Sequence, residues 1–504
     1  MSDVVPVLAI YDFRGKQEYI YRTNRMREIT GASELLAGMF GRFLKADGLP
    51  GTIRDDWRDQ DARPPVDEAG IPVFDDGEMG VIVYEGGGNL CVAYRSREDY
   101  VAANRVFSRI VLDEAYSLGM VAACVEWEAD GAQPGLSFAH NRERLYEVLN
   151  RKKRTGTLEV PCNVLPFTQV DAVTFQPIVR RVYRGGDRQE LSREAMCKVG
   201  AFEQKARSKG GDEWRECGKY IDDIGTMKDD DSLIAVVYFD GNSIGEKLKE
   251  EGGTVEGMRA FSKNVHTSLV EHPEAAMKAA LEMQDERQRS YRIVIDHGDE
   301  ITLICNAHAA PFAIDAYFKA LEGTGYHACA GMAVCHSHDP FREVYEIAES
   351  CCDSGKRRNR EEQANDAPTA SYVDFHYCRS GITGSLGQIR GAQEEGLVAR
   401  PLKVGLSYDA FLHAGETLAA SQVSRADIKK LNQSILQGDS WLALEYERIK
   451  AKDYRAIQRV EELAQQAGFL GDEALRRLLF DVTSFWDIYD LRFSRKEMGE
   501  GYGV

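Results

Sequence analysis

The 504-residue chain reads as an α+β protein: two ferredoxin-like β-α-β-β-α-β units forming an internal pseudo-dimer, plus a C-terminal helical bundle. Three observations predict this. A β-branched apolar run ending in an acid occurs twice, as VVPVLAIYDF (Val4–Phe13) and LIAVVYFD (Leu233–Asp240). Each run is followed by helical sequence and then by a strand, a glycine-rich turn and a second strand. Beyond about residue 407 the apolar residues recur at helical spacing.

The first unit spans residues 1–140. After Asp12 and Gly15 comes a helical stretch, then the hairpin MGVIVYEGGGNLCVAY (Met79–Tyr94), a helix over about Glu98–Leu118 and the closing strand GMVAACVEW. Residues 141–231 form an inter-unit linker carrying the basic run Arg151–Arg154 and ending in Asp229–Asp231. The second unit, 232–400, repeats the order. Asp240, Gly241 and Gly245 follow its first strand; YRIVIDHGDEITLIC (Tyr291–Cys305) is its hairpin; a helix over about Pro311–Gly323 and the strand HACAGMAVC come next. EIAESCCDSGKRRNR (Glu346–Arg360) predicts a further helix ending in cations. In 401–504, Ile428, Leu431, Ile435 and Leu436, and then Leu475, Leu478, Leu479, Val482, Phe485, Trp486 and Tyr489, mark core-facing helix stripes.

The formal charge of −18 argues against a general binder of duplex DNA or of anionic membrane, both of which need a net basic face. No apolar run approaches the ~18 residues of a membrane helix; the longest, Leu233–Phe239, is strand-sized. Met1–Pro6 lacks the basic, then apolar, pattern of a secretory leader. The eleven cysteines show no C-x-x-C pair, and Cys162 and Cys197 stand singly. A reducing, cytoplasmic setting is expected, and no structural zinc.

The chemistry lies in the second unit. In a β-α-β-β-α-β sheet the end of the first strand neighbours the hairpin, so Asp240 is expected beside Asp299 and Glu300. Carboxylates converging there suit two Mg²⁺ or Mn²⁺ ions roughly 3.5–4 Å apart, the spacing for in-line phosphoryl displacement. Gly241-Asn242-Ser243-Ile244-Gly245 opens a helix whose amides can cradle phosphate, and Gly298 lies in the hairpin turn. Lys356 and Arg357 are placed to reach the β and γ phosphates. Taken singly, each feature is commonplace: a strand-terminal Asp caps turns, Gly-Asp-Glu tips hairpins, and a basic run ends many helices. Their order within one unit is what favours a catalytic or nucleotide site.

At these residues the sequence resembles the palm domains of GGDEF-type diguanylate cyclases, class III nucleotidyl cyclases and CRISPR polymerases. Among these it is most similar to the large polymerase-like subunit of type III CRISPR effector complexes. Asp240 with GNSIG looks like the first metal-binding acid and its glycine turn. His297-Gly298-Asp299-Glu300 looks like the GGDD hairpin, and Gly15–Leu36 with Glu85-Gly86-Gly87-Gly88-Asn89 like a first, degenerate palm. The resemblance implies two palms, with catalytic acids Asp240, Asp299 and Glu300. It implies synthesis of a cyclic nucleotide or cyclic oligonucleotide messenger from a nucleoside triphosphate, typically ATP, in antiviral defence. A messenger-responsive effector and an RNA or protein trigger would be its partners. The first palm, where Gly88 and Asn89 replace acids, is expected to be non-catalytic, with Asp12, Gly86, Gly87 and Gly88 as a possible acceptor site or scaffold. Two departures stand out: His297 replaces the first hairpin glycine, and no HD-type nuclease module precedes the first strand. They point to a stand-alone relative. A catalytically inactive nucleotide-binding palm pair and a scaffold subunit of an RNA-guided complex are the alternatives, and oligomerisation stays open.

Overall fold

The computed structural model describes residues 5–59, 65–68, 70–129, 137–155, 165, 167–184, 187–208, 232–284, 291–378 and 384–488. Asp229–Asp231, Cys162, Tyr489 and the side chain of His297, all singled out above, lie outside the described set. The chain is a mixed α+β structure in two compact units.

The first unit opens with β1 (Val7–Arg14), α1 (Lys16–Ile20) and α2 (Met26–Leu44), followed by β2 (Thr52–Arg54), β3 (Glu78–Gly86) and β4 (Asn89–Tyr94). It continues through α3 (Arg97–Glu114), β5 (Gly119–Glu126), α4 (Ser137–Thr155), the hairpin β6 (Ile178–Arg184) and β7 (Asp187–Ser192), and α5 (Arg193–Ser208). The sheet order is β2-β3-β4-β1-β5. β1 is an interior strand, antiparallel to both β4 and β5, with Tyr11 opposite Leu90 and Ala122. Val7 to Phe13 are all buried, which is why β1 reads as a continuous apolar run: both faces of the strand are covered. Tyr11 and Phe13 face an aromatic layer in which Phe43 stacks on Phe107 at 4.5 Å. Leu8 and Ile10, pointing the other way, pack with Leu145 and Leu149 of α4. Ser96 caps α3 by accepting from the Asp99 amide at 3.1 Å, and Glu98 and Asp99 in the first turn complement the helix dipole.

After β8 (Leu233–Gly241) come α6 (Ile244–Glu251), α7 (Val255–His266), α8 (His272–Glu282), β9 (Tyr291–His297) and β10 (Glu300–Asn306). Next are α9 (Ala310–Leu321), β11 (Ala328–His336), α10 (Phe341–Gln363), β12 (Tyr372–Tyr377), α11 (Leu386–Gln393) and β13 (Leu402–Lys403). Five helices follow among the described residues: α12 (Ser407–Ala419), α13 (Arg425–Gln437), α14 (Asp439–Lys452), α15 (Tyr454–Gln466) and α16 (Asp472–Ser484). The second sheet runs β13-β12-β11-β8-β10-β9. β8 is again sandwiched. Phe239 stacks on Tyr317 of α9 at 4.1 Å, and Tyr238 meets Tyr345 of α10 at 5.7 Å.

Two stretches later in sequence than β8 pack with the first unit: 243–272, which includes α7, and 294–301, the tip of the β9–β10 hairpin. Val255 and Met258 of α7 lie in the same core as Leu8, Ile10 and Val81. Arg259 donates to the carbonyls of Ile82 (2.7 Å) and Val83 (2.9 Å), and Ser262 to that of Glu85 (2.7 Å). A helix that follows β8 thus completes the apolar interior around β1.

Candidate active site

Period two along β8 puts Asp240 on the same face as Tyr238, the face covered by α10. Lys356 lies about three turns beyond Tyr345 on that helix, on the same side. The helix comes close because glycines allow it. A Cβ on Gly331 of β11 would lie 1.9 Å from the Ala348 carbonyl oxygen, and one on Gly355 would lie 3.1 Å from Cys329 Sγ. Cys329 is the residue opposite Asp240 in the β8–β11 register. The outcome is an ion pair between Lys356 Nζ and Asp240 Oδ2, with side chains only 23% and 17% exposed. The Tyr238 hydroxyl donates to the same carboxylate at 3.4 Å. Burial pushes the Asp240 carboxyl above its ordinary pKa against the opposing pull of Lys356. Arg357, the next residue, is exposed.

The segment after Asp240 turns sharply. Asn242 is buried; its amide N–H donates to the His327 carbonyl and its side chain to that of Ala370, both at 2.8 Å. Ser243 has φ +57° and precedes the first turn of α6, where Gly245 is exposed with open space around it. In the β9–β10 turn the left-handed backbone falls on Gly298, φ +71°, and Asp299 and Glu300 follow, half-buried. A Cβ on Gly298 would lie 3.2 Å from the Cα of Gly87, so the tips of the two glycine turns abut.

Asp12 in the first unit follows the same geometry to a different end. It shares a face of β1 with Ile10, and on α4 Lys153 follows Leu145 and Leu149 at i+8 and i+4, so it arrives over the strand end. Asp12 is buried and pairs with both Lys153 and Lys16, the latter at 3.1 Å. It also accepts from the Phe13 amide (2.7 Å) and, with the Asn89 amide nitrogen turned toward it, from Asn89 at 3.0 and 3.2 Å. Lys16 also donates to the carbonyls of Gly87 (3.3 Å) and Gly88 (3.2 Å). A Cβ on Gly88 would sit 2.2 Å from its ammonium. Two lysines and an amide fill the surroundings of this carboxylate, and that donor set does not fit a divalent cation.

The structure therefore brings Asp240 to Lys356, Gly298 to Gly87, and Asp12 to the Gly87–Gly88 turn through Lys16. The partners that the sequence alone does not reveal are Lys16, Lys153 and Tyr238. A signal for Lys153 is present: RKKR and KRRNR are basic runs that each follow the last strand of a repeat, yet the first falls in the stretch that reads as linker. The Cys351 and Cys352 thiols are fully buried and pushed up by that burial, which leaves them as packing groups. Among the described residues, no three His, Cys, Asp or Glu side chains form a metal-binding group, and no helix is long and apolar enough to cross a membrane.

No family model matches the sequence, and no curated protein is similar to it in sequence. Solved structures are similar in fold. The crystal structure of Csm1 in T. onnurineus matches with a TM-score of 0.50 at 12% identity, over 95% of this chain and 70% of that one. The Csm1–Csm4 cassette in complex with cA3 matches with a TM-score of 0.51 at 12% identity, over 97% and 70%. The chain shares the fold of Csm1. That similarity of fold extends over nearly the whole sequence.

Proposed function

We propose that the chain is a palm-type nucleotidyltransferase that joins nucleoside triphosphates, ATP foremost, into a cyclic nucleotide or cyclic oligonucleotide messenger of antiviral defence. The observation that carries this reading is Asp240, half-buried at the end of β8, ion-paired with Lys356 and followed by the exposed start of α6. A structure sharing this fold is the Csm1–Csm4 cassette in complex with cA3, which supports a nucleotide as the ligand class. In the reaction a ribose hydroxyl attacks the α-phosphorus of a second nucleotide; the new P–O bond forms as the bond to the β-phosphate oxygen breaks, and pyrophosphate leaves.

Asp240, Asp299 and Glu300 would hold Mg²⁺ or Mn²⁺. The fit rests on the donor set, which is all carboxylate oxygen, and on Asp240 already accepting one cation, the Lys356 ammonium. When bound, such an ion polarises the phosphate and favours ionisation of the attacking hydroxyl. Lys356 neutralises Asp240 in the free protein and can instead hold β- and γ-phosphate oxygens as a point charge. The amides at Ser243–Gly245 orient the phosphates. The first palm supplies no metal ligands, its Asp12 being held by Lys16 and Lys153. A second reading, nucleotide binding without turnover, is favoured by the hold of Lys356 on Asp240.

The test is mass spectrometry of products from a mixed nucleotide pool with Mg²⁺ or Mn²⁺, with pyrophosphate release in parallel. Product from the wild type, lost in Asp240→Ala and in Asp299→Ala, is expected. Nucleotide-dependent thermal stabilisation without product selects the second reading, and neither signal overturns both.

A further inference from the structure

The turn that joins β11 to α10 carries chemistry that the nucleotide reading leaves unused. Strand alternation sets His336 and His338 on one side and Ser337 on the other; Ser337 is buried and both histidines are exposed. Their ring centroids lie 5.3 Å apart, with 34° between the planes. Two imidazoles bound through nitrogen to one cation, at about 2.0–2.1 Å and a tetrahedral angle, have centroids roughly 5.2 Å apart. The backbone beneath the rings is fixed. The Ser337 amide donates to the Ser232 carbonyl at 3.0 Å, and the Asp339 amide to the His336 carbonyl at 2.9 Å. Asp339 Oδ2 accepts from the His336 amide at 2.9 Å, which holds a carboxylate at the same turn. The His338 amide reaches His336 Nδ1 only at 3.4 Å, a long bond that a cation can replace.

We propose that His336 and His338 form a site for a divalent transition cation such as Zn²⁺ or Ni²⁺. The two imidazoles are its protein ligands, water fills the remaining positions, and Asp339 accepts from one of those waters. Imidazole nitrogen suits these ions, whereas Mg²⁺ and Mn²⁺ favour carboxylate oxygen. The site is separate from the nucleotide centre. Cys329 stands opposite Asp240 and His336 opposite Leu233, which places the histidines about 23 Å further along β11. A cation there ties down the entry to α10, the helix that carries Lys356.

Titration calorimetry of the full chain with Ni²⁺ in excess Mg²⁺ tests this, beside thermal melts with and without Ni²⁺. His336→Gln and His338→Gln are each expected to weaken binding by at least the roughly 10- to 100-fold that losing a hydrogen-bonded neighbour of a metal ligand costs. Each should also abolish the Ni²⁺-dependent rise in melting temperature that wild type shows. His413→Gln, at another exposed histidine, is expected to match wild type. Without Ni²⁺ all four proteins should melt alike, because the three rings are exposed. Affinity unchanged in both variants, a loss of equal size in His413→Gln, or displacement of Ni²⁺ by Mg²⁺ would overturn the proposal. So would a wild type that neither binds Ni²⁺ nor melts higher with it.

Discussion

Each repeat carries an aspartate near the end of its first, interior strand, and in each a lysine from the helix over that face comes to meet it. Lysine suits this position because its long stem crosses apolar packing while a compact charge reaches the carboxylate. The two sites differ in what else is present. Asp12 has a second lysine, an amide and a backbone N–H around it; Asp240 has Lys356 and one long bond from Tyr238. Removing the lysine should therefore strand the Asp240 charge. Lys356→Met is expected to cost about 1–3 kcal/mol in urea unfolding, below the value for a fully buried pair because both side chains keep some exposure. Adding Asp240→Asn should recover most of the loss. Strict additivity of the two changes would show that the pair does not hold the helix end to the strand.

At the scale of elements, close packing is set by single glycines. On α2, a Cβ at Gly31 would lie 1.8 Å from the Lys198 carbonyl oxygen of α5, whereas Gly41, ten residues on, has nothing within 4 Å and is exposed. Lys198 itself is buried, donating to the Tyr19 carbonyl (2.9 Å) and pairing with Glu194 (3.2 Å), so α5 has little room to shift. Gly31→Ala is expected to lose about 2–4 kcal/mol through the forced separation of the helices. Gly41→Ala should gain about 0.5–1 kcal/mol from helix propensity alone. Thermal melts of the pair give the comparison, and the same sign for both would refute this account of the α2–α5 contact.

At the scale of the whole molecule, the units are not built from consecutive halves of the chain, because α7 follows β8 yet fills the core around β1. The second unit is tied to its terminal helices by buried charge. Arg390 grips Asp374 of β12 at 2.8 Å through two nitrogens. Arg400 reaches Glu394 at 2.9 Å and Asp481 of α16 at 3.0 Å. Beside them burial lowers His376 to about 4, while Glu394 raises and Arg400 and Arg390 further lower it. Burial also raises Asp481 to about 6, against the pull of Arg400. The histidine protonates more readily unfolded, near 6.5, than folded. Its contribution is thus present above pH 6.5 and lost as pH falls toward 4, by at most about 1.4 kcal/mol per pH unit. Asp481 acts oppositely: its contribution is present below the ordinary carboxylate range and lost as pH rises through about 6. Urea midpoints between pH 7 and 4 should flatten in His376→Gln and steepen in Asp481→Asn. Curves parallel to wild type in both would refute the assignment.

The repeated strand–hairpin–strand order, the helix carrying Lys356 and the helical C-terminal region were legible in the sequence, because apolar period and glycine punctuation are local properties of a segment. Asp240 could be singled out for the same reason, as the acid that ends a buried run. Which cation answers each acid was decided by tertiary packing. Lys16 and Lys153 sit among many charged residues that look alike in sequence, and only the approach of a helix over a strand end selects them. The allegiance of α7 to the first unit belongs to the same class: its apolar stripe calls for a core to join, and the fold alone settles which core has room for it.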